Sequence, residues 1–389
     1  MKWNKLTLAL AAAGAISGVQ ADESHPVNTL VSNTVLSGFV DTSAIWNFGT
    51  GKTVASRFAN TAYDRQDGFN LNVVKLNLEK PLDEGTWSAG YRVDMMFGPD
   101  SNVMPGRLGS SDIAIQQAYV ALRVPVGNGL DLKVGQFNPT IGYEVTDSYA
   151  NPNFSRSMAF NTLEPFGHQG VLGTYQVNEI LGFNAGISNT QFGDFSGAAG
   201  GINTKYAWGG GGESWKSYMA GLVIKAPEST GWLAGSSLYG GVVKGFAGGE
   251  DNDPVNFYVG GTMSTPWKAL SLGVAYDYLA NGSFEGSYGN SIAGYASLQV
   301  TEQFKINGRA EYVTSSGGVF SGYTNGPGTR SQSINDESFM GYTLTLDYAL
   351  WANVVSRLEF RWDHNLDGVE YFDGQSNDYS LALNLIYKF

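Results

Sequence analysis

Cysteine is absent from all 389 residues of the chain. This absence excludes disulfide bonds, a thiolate nucleophile and any cysteine-ligated metal. Long apolar runs are missing too, because no segment after residue 21 approaches the roughly 18 continuous apolar residues that a membrane-spanning helix requires. The sequence therefore excludes a disulfide-stabilised domain and a helical membrane protein.

Positive charge is also scarce. Lysine and arginine number 23 against 35 aspartates and glutamates, which gives a net charge of −12. This balance argues against nucleic acid or anionic lipid as the main partner. Among the three histidines, His364 is predicted at the opposite end of a strand from Ser356, so no serine–histidine pair suited to hydrolysis is expected. We predict no catalytic site, no metal site and no cofactor.

Glycine and aromatic residues are abundant instead. The chain has 52 Gly, 21 Tyr, 21 Phe and 9 Trp, with only 12 Pro. This composition disfavours helices and suits strands, tight turns and the aromatic girdles of membrane barrels. Although 389 residues would ordinarily suggest two domains, no linker or shift in composition divides the chain. We therefore predict one large β domain.

The N-terminus has the pattern of a secretory signal peptide. Lys2 and Lys5 form a short basic region, Leu6–Ile16 an apolar stretch, and Val19–Ala21 a small-residue cleavage site. We predict a signal peptide at residues 1–21, a periplasmic segment at 22–34 and a transmembrane β-barrel at 35–389.

Alternation with a period of two dominates the rest of the chain. In Tyr379–Phe389, one face carries only large apolar and aromatic side chains, whereas the other carries Ser380, Asn384 and Lys388. Such a strand suits the core of a soluble sheet or the lipid-facing wall of a barrel. It is predicted to pair with Leu36–Asn47 and so to close the barrel.

The same template indicates about sixteen strands. Phe69–Lys80 changes parity between Leu71 and Val74, which predicts a β-bulge. The strands recognised individually are Leu36–Asn47, Phe69–Lys80, Trp87–Phe97, Gln117–Val124, Leu130–Phe137, Gly170–Val177, Leu181–Ser188, Ser236–Phe246, Leu270–Leu279, Ile292–Val300, Phe304–Val313, Met340–Tyr348, Val354–Asp363 and Tyr379–Phe389.

Short and long connections alternate between these strands. Links such as Pro81–Thr86, Pro125–Gly129 and Leu350–Asn353 are short, whereas Gly98–Asp112 and Asn138–His168 are long and polar. Short periplasmic turns that alternate with long extracellular loops are typical of outer-membrane barrels. The predicted fold is therefore an all-β, closed antiparallel transmembrane barrel of about sixteen strands.

Charged residues fall on the faces opposite to the apolar ones. A packed interior cannot hold so many charges without pairing each of them, whereas a water-filled lumen can. The predicted inward basic residues are Lys75, Arg92, Arg123, Lys133, Lys305, Arg309, Arg357 and Arg361, and the acidic ones are Asp41, Glu79, Asp94, Glu311, Asp347, Glu359 and Asp363.

The connection Asn138–His168 is a candidate constriction loop. In general porins the loop at this position folds into the barrel. By that analogy, the carboxylates of Glu144, Asp147 and Glu164 would face cations on the barrel wall. Opposed charges across a constriction create a transverse field that filters solutes. Arg156 belongs to the same loop. The alternative to a constriction is that the loop packs over the outer rim of the barrel. The expected wall cations are Arg92, Lys133, Arg357 and Arg361.

Several stretches together resemble the OmpL-like β-barrel porins of Gram-negative bacteria. They are Asn72–Pro81, Gly90–Asp100, Ile115–Leu122, Leu130–Phe137, Ile141–Ser157 and Pro165–Gly170. The resemblance implies an outer-membrane channel and transfers no substrate or functional residue. It makes Glu144, Arg156 and His168 worth testing, because they lie in the family-like part of the candidate constriction loop.

We therefore expect a passive porin for small hydrophilic solutes. A channel specific for sugars or anions and a non-conducting structural or adhesion barrel are the alternatives. The expected partners are the lipid bilayer, lipopolysaccharide and the outer-membrane assembly machinery, for which Tyr387 and Phe389 form the signal. Porin analogy suggests a homotrimer, and the expected location is the outer membrane.

Overall fold

The computed structural model describes residues 33–48, 67–104, 106–108, 111–189, 216–245, 253–281, 285–316, 336–368, 372 and 375–389. The predicted signal peptide at 1–21 and most of the predicted periplasmic segment at 22–34 lie outside these residues. In the part of the chain that is described, no helix is long and apolar enough to cross a membrane.

Within the described residues, sixteen antiparallel strands form one closed barrel, in which each strand pairs with its neighbours in sequence and β16 pairs with β1. The predicted fold class and strand number are confirmed. The strands are β1 Val35–Phe48, β2 Gly68–Lys80, β3 Ser88–Phe97, β4 Ile113–Val124, β5 Leu130–Phe137, β6 His168–Gln176, β7 Leu181–Ser188, β8 Ser217–Lys225, β9 Ser237–Gly245, β10 Val255–Ser264, β11 Leu270–Ala280, β12 Tyr288–Gln299, β13 Phe304–Ser315, β14 Glu337–Trp351, β15 Val354–Asn365 and β16 Asn377–Lys388.

The barrel closes where the sequence predicts. β16 runs antiparallel to β1 with Phe48 opposite Tyr379 and Phe39 opposite Lys388. Beyond this ladder, the backbone N–H of Gly38 donates to the carbonyl of Phe389 at 2.9 Å, and the N–H of Phe389 donates back at 3.0 Å. A side chain at Gly38 would overlap the Phe389 ring, so glycine allows the final residue to pack against β1.

The two faces of each strand differ as the alternation predicts. On β16, Leu383, Leu385 and Tyr387 are exposed on the outer surface, whereas Asn384 and Ile386 are buried inside. The outward face of a transmembrane barrel contacts lipid, so exposed leucine and tyrosine lose no stability there. Inward residues are mainly polar, charged or small.

Two β-bulges determine the register of the first strands. Asp41 lies opposite Val73 but Thr42 lies opposite Leu71, so Asn72 is the extra residue and the bulge predicted in β2 is confirmed. A second bulge at Gln116 has the same form, since Asp94 faces Gln117 and Met95 faces Ile115. This bulge exchanges the inward and outward positions along β4. The period-two pattern therefore predicted a start at Gln117, whereas the strand begins at Ile113.

Short and long connections alternate as predicted. Turns of few residues join β4 to β5 and β14 to β15, whereas residues 98–112 and 138–167 form long connections on the other rim. The link from β8 to β9 contains a 3-10 helix, Glu228–Leu233. Strands β8 and β10 were not recognised individually in the sequence, because their glycine-rich or short alternation is weak.

Candidate pore and its inner loop

Residues 138–167 lie inside the barrel and are hereafter called the inner loop. Most of them are buried and none is exposed, and they include a 3-10 helix at Ser148–Ala150 and a short helix α1 at Met158–Thr162. The hydroxyl of Ser157 caps α1 by accepting the N–H of Phe160 at 3.1 Å. The structure thus places the loop against the inward faces of the wall and not over the outer rim.

Three wall arginines bind the inner loop. Arg309 donates to the Glu144 carboxylate at 2.6 Å and to the carbonyl of Ser155 at 2.9 Å. The other two bind backbone carbonyls of the loop. Arg357 donates to the carbonyls of Ser148 and Asn151 at 2.9 and 2.8 Å, and Arg361 donates to that of Arg156 at 2.6 Å.

Carboxylates bind the loop's N–H groups in the same way. Glu359 accepts the N–H groups of Phe154 and Ser155 at 2.6 and 2.9 Å. Glu311 accepts that of Met158 at 2.7 Å. A buried backbone outside regular structure needs hydrogen-bond partners, because unpaired groups cost free energy. The charged residues of β13 and β15 supply them.

Arg156 holds the inner loop together from within. Its guanidinium donates to the carbonyls of Val145, Thr146 and Phe154 at 2.9, 2.8 and 2.9 Å, and it lies 5.7 Å from the Phe160 ring. These bonds join the two arms of the loop. Arg156 is fully buried, so the structure places it as a brace within the loop and not on a water-filled surface.

The inner loop also contacts the strands that close the barrel. Asp41 on β1 accepts from Asn72 at 2.8 Å, from Asn384 of β16 at 2.7 Å and from the Ser148 hydroxyl of the loop. Lys75 on β2 forms ion pairs with Asp147 of the loop and, at 3.4 Å, with Asp94 of β3. The closing strands and the loop therefore share one polar network.

A different kind of contact holds the loop on β9–β12. Tyr143 stacks on Tyr295 with ring centroids 4.0 Å apart. A Cβ added at Gly273 would overlap the Tyr143 hydroxyl, and one at Gly241 would lie 2.7 Å from Ile141. Glycines on the wall thus form notches for loop side chains.

The loop carboxylates Glu144, Asp147 and Glu164 border the same cavity as two of the expected wall cations, Arg92 and Lys133. Their ion pairs are formed with other wall cations. Glu144 pairs with Arg309 and Asp147 pairs with Lys75, whereas Glu164 lies near the carboxylates of Asp277 and Glu144. Burial, and secondarily these two neighbours, raise the pKa of Glu164 well above its ordinary value. Alternation predicts which face a residue occupies, but it does not show toward which strands a loop leans.

Most of the remaining predicted wall residues have local partners. Arg92 pairs with Asp94 at 2.8 Å and Glu79 at 3.1 Å, and Arg123 pairs with Asp131 at 2.6 Å. Arg361 pairs with Asp363 at 2.8 Å and with Glu311 at 3.7 Å, and Arg357 pairs with Asp347 at 3.1 Å. Lys305 lies half-buried on β13, and the Lys133 ammonium lies 4.9 Å from the centre of the Tyr119 ring.

A cavity of about 190 Å³ lies between the inner loop and the wall from β3 to β9. Hereafter called the lumen cavity, it includes Arg92, Lys133 and Asn184 of the wall and Phe160 and Phe166 of the loop. Within the described residues, no cluster of three or more histidine, aspartate or glutamate side chains is arranged to hold a metal ion.

His168 lies buried at the start of β6, beside Phe137.

Solved structures with the same fold share little sequence with this chain. DcaP, an outer membrane channel of Acinetobacter baumannii, has a TM-score of 0.60 and 12% identity over 92% of this chain and 97% of its own. An anion-selective porin from Comamonas acidovorans has a TM-score of 0.59 and 13% identity over 92% and 99%. OmpT of Vibrio cholerae in its trimer form has a TM-score of 0.56 and 13% identity over 92% and 99%.

No curated protein matches the sequence. A family profile does match it, over residues 33–389, and its description is "Putative beta-barrel porin-2, OmpL-like". The match covers all sixteen strands, and the resemblance stated from the sequence is confirmed. The chain belongs to the OmpL-like family of β-barrel porins.

Proposed function

We propose that this protein is an outer-membrane channel for passive diffusion of small hydrophilic solutes and ions. The observation that carries the proposal is the inner loop, which is bound to the wall on both flanks and leaves the lumen cavity on the β3–β9 side. A structural barrel needs no such cavity beside polar wall residues. Around sixteen strands is also a size at which barrels enclose an aqueous channel.

The wall charges divide into two proposed roles. Arg92, Arg123 and Lys133 with Asp131 face the lumen on the cavity side, where they would meet solutes and contribute to a transverse field. Arg309, Arg357 and Arg361 are buried beneath the inner loop, so their proposed role is to hold the loop. The lumen width would then depend on charges that never contact the solute.

Planar-bilayer conductance tests the proposal. We expect stepwise, ohmic current in KCl and permeation of small sugars into liposomes that contain the refolded protein. Migration that is faster before than after boiling in SDS would establish that the reconstituted protein is a folded barrel. A correctly folded barrel that carries no current would instead favour a structural or adhesion role.

Export and assembly are proposed on separate grounds. A signal peptide at 1–21 would direct the chain across the inner membrane, and Tyr387 with Phe389 would be read by the assembly machinery. Both side chains lie at the closing strands, where Phe389 pairs with Gly38. A homotrimer is proposed because OmpT, which shares the fold, forms a trimer; lipopolysaccharide is the proposed partner of the outer surface.

A further inference from the structure

Lys133 is the inward cation of β5, and it borders the lumen cavity. Its ammonium lies 4.9 Å from the centre of the Tyr119 ring. Among the described residues it forms no ion pair, although Arg92, which borders the same cavity, has two acidic partners. An ammonium carries three donors, and a ring face satisfies none of them as a carboxylate would.

The other charges at the cavity are compensated. Asp147 pairs with Lys75, Glu144 with Arg309, and Arg92 with Asp94 and Glu79. Glu164 is the remaining acid, and burial raises the pKa of its carboxyl well above the ordinary value. Among the described residues that border the cavity, Lys133 is thus the cation without an ion-pair partner.

Part of the cavity lining is apolar and aromatic. Phe160 and Phe166 of the inner loop border it and contact each other edge to face, with ring centroids 5.0 Å apart. Leu172 of β6 and Tyr149 of the loop complete this part of the lining. An anion with a flat apolar body could place its charge on Lys133 and its body against these rings.

The size of the cavity suits such a ligand. An engineered cavity of about 150 Å³ in another protein holds benzene. The lumen cavity of about 190 Å³ is larger, so it has room for one aromatic ring with one small charged group.

We propose that the lumen cavity is a binding subsite for small aromatic monocarboxylates, with the carboxylate on Lys133 and the ring against Phe160 and Phe166. The inference rests on the proposed function, since the solute reaches this cavity through the channel. It deepens that function by naming a solute class that the channel retains transiently. Such binding would concentrate one class of solute inside the lumen without excluding others.

The test uses benzoate as the probe, with the full mature barrel reconstituted in a planar bilayer. We expect benzoate to reduce the KCl current saturably. Acetate lacks the ring, benzyl alcohol lacks the charge and benzylammonium reverses it, so each should need at least about a tenfold higher concentration. Equal block by acetate would overturn the role of the rings, and equal block by benzyl alcohol or benzylammonium would overturn the role of the charge.

Matched lysine variants locate the effect. Lys133→Gln should raise the half-blocking benzoate concentration about tenfold or more, and Lys133→Arg should retain most of the block. Lys305→Gln removes another inward lysine, on β13 and outside the lumen cavity, and should leave the value unchanged within about twofold. Equal loss in the Lys133→Gln and Lys305→Gln variants would attribute the block to general charge and overturn the subsite.

A separate binding measurement distinguishes the two proposals. Isothermal titration of benzoate into the detergent-solubilised barrel, for the wild type and the Lys133→Gln variant, does not depend on conduction. Binding that the substitution removes would support the subsite even for a barrel without KCl current, which would contradict only the proposed function. Current without benzoate binding would contradict the subsite and leave the proposed function in place.

Discussion

Two regions of the wall hold the inner loop by different means. On β13, β15 and β1–β2, buried charges bind the loop's backbone and its carboxylates, as Arg309 and Glu359 illustrate. On β9–β12 the inward residues are mainly small, apolar or tyrosine, and Asp277 is the one inward charged side chain among the described residues. Charged groups bind the loop on the first region. On the second, glycine notches, the stacking on Tyr295 and a hydrogen bond from the Asn256 amide to the carbonyl of Leu163 hold it.

The two regions are expected to lose different amounts of stability when a residue is substituted. A buried ion that loses its partner keeps its desolvation cost, so a single change on the charged region should be severe. A glycine notch that is filled forces a side chain to move, which costs less and depends on local room. The predictions below compare these two regions.

The largest effect is expected for Arg309→Met. Its loss would leave Glu144 and Glu311 buried without their shared cation, for which we expect a loss of about 3–5 kcal/mol in the free energy of unfolding. The matched change Arg123→Met breaks a pair whose Asp131 side chain is 35% exposed, so its cost should be about 0–1 kcal/mol. Urea unfolding in detergent measures both variants, and equal losses would contradict a special role for the buried charges.

A smaller effect is expected for Gly273→Ala on the glycine region. The new methyl group would displace the Tyr143 hydroxyl from its notch, at a cost of about 1–3 kcal/mol. Gly294→Ala is the control, because a Cβ there meets no atom within 4 Å, and its change should stay within about 0.5 kcal/mol. The same unfolding experiment decides the matter, and a Gly273→Ala variant as stable as the Gly294→Ala control would show that the notch is dispensable.

A still smaller, pH-dependent effect is expected from Glu164. The groups that face it are Asp277 of β11, Glu144 of the loop and the backbone N–H of Tyr143. Because its folded-state pKa is raised, stability is fully present below the ordinary value near 4.5 and falls as the pH rises through the raised pKa. Ionisation of Glu164 should then weaken the contacts between the inner loop and the barrel wall. Single-channel current noise should increase over this rise in pH.

Glu164→Gln provides the comparison for that pH series. The amide does not ionise, so the variant should show little increase in current noise over the same pH range. A wild type and a variant with identical pH profiles would assign the change to another group, and Asp277→Asn would be the next variant to measure.

The sequence predicted the fold well, because alternation and loop lengths are local properties that pairing then repeats around the barrel. Parity, meaning the alternation of residues between the two faces of a strand, predicted the bulge in β2, the closing pair of strands and the inward faces. The start of β4 was not predicted, since the bulge at Gln116 leaves no residue pattern that a period-two template can follow. Strand ends with polar outward residues, as in β12 and β14, were likewise predicted too short.

The site was predicted less completely. The sequence pointed to residues 138–168 as the loop and to Glu144 as one of its acids, but it did not predict that Glu144 forms an ion pair with Arg309. Asp277 could have been found, because it has inward parity in a strand that was recognised. The notch at Gly273 could not, since only the three-dimensional path of the loop brings Tyr143 to it.

The absence of cysteine permits the most direct test of the account, by single introduced thiols. Asn184→Cys on β7 borders the lumen cavity, whereas Thr345→Cys on β14 lies under the loop, where the native hydroxyl bonds Asn153 and Glu359. We predict that a water-soluble thiol reagent modifies the Asn184→Cys variant rapidly and reduces its current, while the Thr345→Cys variant stays unmodified. Equal modification of both thiols, or an unreactive Asn184→Cys variant, would contradict a loop fixed against the charged region beside a water-filled lumen.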